Sequence, residues 1–131
     1  MNVGMEAPTT AFRLQGLLDA FSREVEGIRV IVVGDARGLP VASLVRGKKA
    51  MATTAMSTLL MSAAKNMVSS LELTDMKDLL VEGESWVILL RSLGEGFTLL
   101  CLADETTNIG MLKLLADRRA AEVRELLEEL R

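Results

Sequence analysis

Fifteen consecutive residues, Ala50 to Ala64, carry no charge in a chain whose residues are 25% charged overall. The stretch is shorter than a membrane span and is broken up by Thr53, Thr54, Ser57, Thr58 and Ser62, so it does not read as a transmembrane segment. Its apolar residues recur in helical steps. Ala52, Met56, Leu60, Ala63, Met67 and Leu71 form one stripe, which predicts a long helix over Ala50 to Leu71 with that stripe against a sheet. Turning by about 100° per residue puts Met51, Thr54, Ala55, Thr58, Met61, Ser62, Lys65 and Ser69 on the other face. A surface helix normally carries Lys, Glu or Arg there, but this one has no charge before Lys65. Such a face is about 30 Å long and a few hundred Å² in area, the size at which a contact surface is expected. Ala55, Thr58 and Ser62 are small enough for a second backbone to come close, and Met51, Met56 and Met61 adapt to irregular surfaces. A copy of the same chain is the simplest partner, because closed two-fold dimers are the commonest oligomers. The expected dimer face on this helix is Met51, Thr54, Ala55, Thr58, Met61 and Ser62.

The flanking sequence alternates helix and strand signals. Residues 1–9 read as a flexible tail ending near Pro8, and residues 10–131 as one domain. Thr10 is expected to cap a helix whose apolar face is Leu14, Leu17, Leu18, Phe21 and Val25, with Gly27 as its stop. Ile28 to Val33 is a β-branched interior strand. Gly34-Asp35-Ala36-Arg37-Gly38 turns it back, and Leu39 to Val45 returns with Pro40 limiting it. Gly47-Lys48-Lys49 connects to the central helix. Leu79 to Val81, Trp86 to Leu90 and Phe97 to Leu102 form an antiparallel meander around the turns Glu82-Gly83-Glu84 and Gly94-Glu95-Gly96. A last helix starts near Thr107 or Asn108, with Leu112, Leu115, Val123, Leu126, Leu127 and Leu130 on its buried side. The order is α-β-β-α-β-β-β-α, an α/β (α+β) class.

Several chemistries are missing. The chain has no histidine, so Ser-His and Cys-His pairs and histidine metal sites are out, and no catalytic residue, metal ligand or cofactor is expected. Gly47-Lys48-Lys49 lacks the upstream glycine and the hydroxyl of a P-loop. Cys101 lies in an apolar run and reads as a small core residue. A single cysteine with no signal peptide suits a reducing, cytoplasmic setting. Glu72, Asp75, Asp78, Glu82 and Glu84 read as a solvated acidic rim. A net charge of −3 and an aromatic content of 3% argue against a nucleic-acid partner.

With these elements in order, the chain resembles the roadblock family, the dynein-light-chain-related domain also found in prokaryotic regulators of small GTPases. The resemblance is carried by Ile31-Val32-Val33-Gly34-Asp35-Ala36-Arg37-Gly38-Leu39-Pro40-Val41-Ala42-Ser43, similar to the family's first hairpin. Thr107-Asn108-Ile109-Gly110-Met111-Leu112 is similar to the start of its last helix. The match runs from about Phe12 to Leu130. It implies a five-stranded antiparallel sheet, with the long central helix on one face and the two terminal helices on the other. It also implies dimers, with itself or a paralogue, that join central helices and adjoining edge strands. Met76, Leu79 and Val81 would then line the edge. The implied client is a Ras-like small GTPase, bound without a catalytic group, and the short termini resemble a minimal prokaryotic form. A second reading is a small-ligand sensing module of PAS or profilin-like type, but such a sensor needs a polar cluster around a cavity, and these strands are almost solidly aliphatic.

Overall fold

The computed structural model describes residues 9–44 and 49–130. Three helices, α1 (Thr10–Glu24), α2 (Lys49–Ser70) and α3 (Ile109–Glu128), enclose strands β1 (Ile28–Gly34), β2 (Pro40–Ser43), β3 (Leu79–Glu82), β4 (Trp86–Gly94) and β5 (Phe97–Asp104). The strands form one antiparallel sheet in the order β2-β1-β5-β4-β3, so β2 and β3 are its edges. Pro40 opens an edge strand, the one place where its missing N–H costs no ladder bond. Residues 1–8 of the expected tail over residues 1–9, and Val45 to Lys48 of the first return strand and connector, lie outside the described residues.

Local chemistry sets the element ends. The cap of α1 is Thr9 rather than Thr10: its hydroxyl accepts the amide N–H of Phe12 at 3.1 Å. Asn108 caps α3 in the same way, accepting from the Met111 N–H at 2.9 Å. In the first turn the Asp35 carboxylate accepts the N–H groups of Arg37 at 2.9 Å and Leu39 at 3.0 Å. β4 runs on to Gly94, beyond the Leu90 expected from its aliphatic run, because Arg91 and Ser92 continue the ladder opposite Leu99 and Thr98.

Successive strand residues face opposite sides. On one side Ile31, Val33, Leu89, Leu99 and Cys101 pack with Leu14, Leu18 and Phe21 of α1 and Leu112, Ala116 and Val123 of α3. Leu130, expected on the buried side of α3, lies beyond the helix end and is exposed. On the other side Leu90 and Leu100 meet Met61 of α2, with Val30, Leu79 and Ile88 around them. The central helix therefore covers one face and the terminal helices the other.

Cys101 sits mid-strand in the larger core, and its burial pushes the thiol up to about 12. A thiol reagent at pH 8 is expected to leave folded protein unmodified and to label one thiol per chain in denaturant. Labelling of folded protein at the denatured rate would contradict this placement.

Candidate functional site

The side of α2 that meets the sheet is not the bulky one. Ala50, Thr54, Ser57, Met61 and Ala64 are buried, while Met56 and Met67 are each 62% exposed and Leu59 is 72% exposed. Relative to the expectation, the helix is rotated. Ala52, Met56, Leu60, Ala63 and Met67, expected against the sheet, are exposed, and Thr54 and Met61, expected on the dimer face, are buried beneath the helix. Thr58 is half-buried, and Met51, Ala55 and Ser62 are exposed.

Hydrogen bonding and close approach explain the rotation. The hydroxyls of Thr54, Ser57 and Thr58 donate back to the carbonyls of Ala50, Thr53 and Thr54 at 2.6, 2.7 and 3.1 Å. Satisfied in this way, small hydroxyl residues are buried almost as alanines would be. They bring the helix down onto β1: a Cβ on Gly34 would lie 2.4 Å from the Thr54 methyl. A methionine stripe in that position could not approach so closely.

The outward face is therefore greasier than the sequence pattern suggested. Ala52, Met56, Leu59, Ala63, Asn66 and Ser70 are all exposed and follow alternating steps of four and three, the spacing of a coiled-coil seam. Beside the seam, Met56 and Leu60 look across a groove of about 430 Å³ onto Val30, Ile88 and Leu102 of the sheet. Among the described residues β3 pairs only with β4, and its other edge has no strand against it. Leu79 and Val81 are half-buried on this edge, as is Met76 just before it. The opposite edge is partly used: the side-chain amide of Gln15 donates to the Ser43 carbonyl at 2.7 Å.

Asp78 departs from the solvated acidic rim expected for its neighbours. It pairs with Arg91 of β4, itself only 4% exposed, through Nε at 2.6 Å and Nη2 at 2.9 Å. The third contact of Arg91, Nη1 to Asp117 of α3, is 2.8 Å. Hydrogen bonding to the Asp78 carboxylate, working against burial, raises the Arg91 pKa further. Arg91 thus ties the segment leading into β3 to the terminal-helix layer. Nothing in the local pattern marks it, since an arginine inside an aliphatic strand has an identifiable partner only once the strands are laid side by side.

The scaffold is shared with known proteins. The sequence model described as the Roadblock/LC7 domain matches residues 14–103. Among solved structures, the fold is similar to a Roadblock/LC7 domain from Streptomyces avermitilis. That likeness has a TM-score of 0.82 and 19% identity, over 87% of this chain and 97% of that one. It is similar to the gliding protein MglB from Thermus thermophilus, with a TM-score of 0.83 and 19% identity over 95% of each chain. A further MglB structure, described as having a tetrameric arrangement, gives a TM-score of 0.84 at 19% identity, over 95% of this chain and 94% of that one. A search of the curated proteins gave no match. At these identities the structural likenesses establish the fold, and the domain match, which covers most of the chain, establishes that the protein belongs to the Roadblock/LC7 family.

Proposed function

We propose that this protein is a non-catalytic regulator or scaffold that acts as a dimer and binds a Ras-like small GTPase. The observation that carries the dimer is the uncharged outward face of α2 beside the open edge of β3. A monomer would leave Met56, Leu59, Leu60 and Met67 in water along one continuous surface, an arrangement that marks a contact site. In the dimer, Ala52, Met56, Leu59 and Ala63 take the seam, with Met51, Ala55 and Ser62 at its flank. The β3 edges, with Met76, Leu79 and Val81, meet beside it. Thr54 and Met61 serve the protomer's own core. The partner is a second copy or a paralogue.

The GTPase client rests on family membership, because roadblock-type proteins work by holding GTPases rather than by supplying a reactive group. The chain's lack of histidine suits that role. Among the described residues no helix is long and apolar enough to cross a membrane, which suits a protein that docks onto another. The test is direct binding of the purified protein to Ras-like GTPases from its own host, loaded with GDP or a GTP analogue. One nucleotide state is expected to bind preferentially. Failure of every such GTPase to bind in both states removes the client while leaving the dimer to its own test.

A further inference from the structure

β3 is shorter than its neighbour, and the sheet is left with an open corner. The β3–β4 ladder runs from Leu79 opposite Leu90 to Glu82 opposite Val87, so among the described residues Ser92 to Gly94 have no strand outside them. Gly94 adopts φ +84°, and a Cβ built there would touch nothing within 4 Å. A cavity of about 570 Å³ opens at this corner. Because α2 and α3 lie on opposite faces, Lys65 and Arg124 reach the cavity from the two sides of the sheet. Asp75 lines it from the segment before β3.

The charges here are left without ionic partners. Lys65 Nζ donates to the Ser92 hydroxyl at 3.0 Å. Among the described residues, none of Lys65, Asp75 and Arg124 has an opposite charge within ion-pair distance, as is also true of Lys49, Lys77, Lys113 and Arg118. Val68, Leu73 and Met76 give the same cavity an apolar wall, and Ser69 adds a hydroxyl. Two cations, one carboxylate and an aliphatic wall are the complement of a molecule carrying the reverse set. The volume falls in the ordinary range for small-molecule sites, about 300–1,000 Å³.

We propose that this corner cavity binds a small zwitterion of the α-amino-acid class with an apolar side chain. Lys65 and Arg124 hold its carboxylate, Asp75 holds its ammonium, and Val68, Leu73 and Met76 hold its side chain. The whole lining comes from one protomer; Met76 is shared with the proposed dimer edge, and the GTPase takes no part.

Titration of the ¹⁵N-labelled protein with millimolar L-leucine as the probe tests it. Saturable shifts of the Ser69, Ser92 and Gly94 amides are expected. Lys65→Met and Arg124→Met should each weaken binding by about tenfold, the worth of one charge-assisted hydrogen bond. Both positions are exposed, so circular dichroism should show the fold unchanged. Leucinamide, which lacks the carboxylate, and isocaproate, which lacks the ammonium, should both bind more weakly than leucine. Absence of saturable shifts, equal binding of leucinamide, or unchanged affinity in both variants overturns the proposal.

Discussion

Replacing Arg91 with alanine is expected to destabilise the fold by about 3–5 kcal/mol, the usual consequence of stranding one charge of a buried pair. The Asp78 and Arg91 side chains are only 7% and 5% exposed, so water cannot easily take the place of the lost partner. Against the total stability typical of a domain, about 5–15 kcal/mol, this is a large fraction, equivalent to a drop in Tm of about 10–20 °C. Asp117→Ala is expected to cost less than about 1 kcal/mol, because that carboxylate is 59% exposed and solvent screens it. The double substitution Arg91→Met with Asp78→Leu is expected to recover most of the loss, since no charge is then left stranded. Urea unfolding of the three variants checks the order. Equal losses for Arg91→Ala and Asp117→Ala would mean that the buried pair is not what holds the segment before β3.

Leu59→Glu is expected to halve the solution mass measured by light scattering. The side chain is 72% exposed in the protomer, so a carboxylate there costs the single chain little. In the proposed dimer it would place a charge on an apolar seam and, by symmetry, a like charge from the partner nearby. Central interface positions cost about 2 kcal/mol or more when disrupted, a weakening of at least about 30-fold. Ala121→Glu, on the outer face of α3, is the matched control and should leave the mass unchanged. A wild-type protein that is monomeric at micromolar concentration would overturn the proposed assembly.

Element order was legible in the sequence because each signal was local: a β-branched run, an Asp-x-x-Gly turn, a capping asparagine. The orientation of α2 was not. Hydropathy ranks Met56 and Leu60 above Thr54 and Ser57, and a reader of periodicity turns the greasier stripe inward. The fold inverts this because threonine and serine satisfy their own hydroxyls within the helix and take less room. An oligomerising surface also competes with the core for the same apolar residues, so the stripe alone does not say which of the two it serves. A second signal was in plain view. Gly34 and Gly38 flank the first turn, and a Cβ on either would press on Thr54 or Ala55. Glycines placed there mark the side from which a helix comes close. The role of Asp78 is hidden for a different reason: its partner lies thirteen residues away on the neighbouring strand, and an acidic neighbourhood in sequence says nothing about which carboxylate turns inward.

Gln15 reaches from α1 to the carbonyl of Ser43, on the rim of the sheet opposite β3, and Pro40 stands at the start of that same rim. An edge strand is a template, and a sheet with two receptive rims can recruit copies at both and lengthen into a fibre. Here both rims are short, and the β2 rim is partly occupied from within. In the proposed dimer the sheet would then have a valence of one: the first chain to pair with β3 would use up its capacity for strand addition, and growth would stop at a finite assembly.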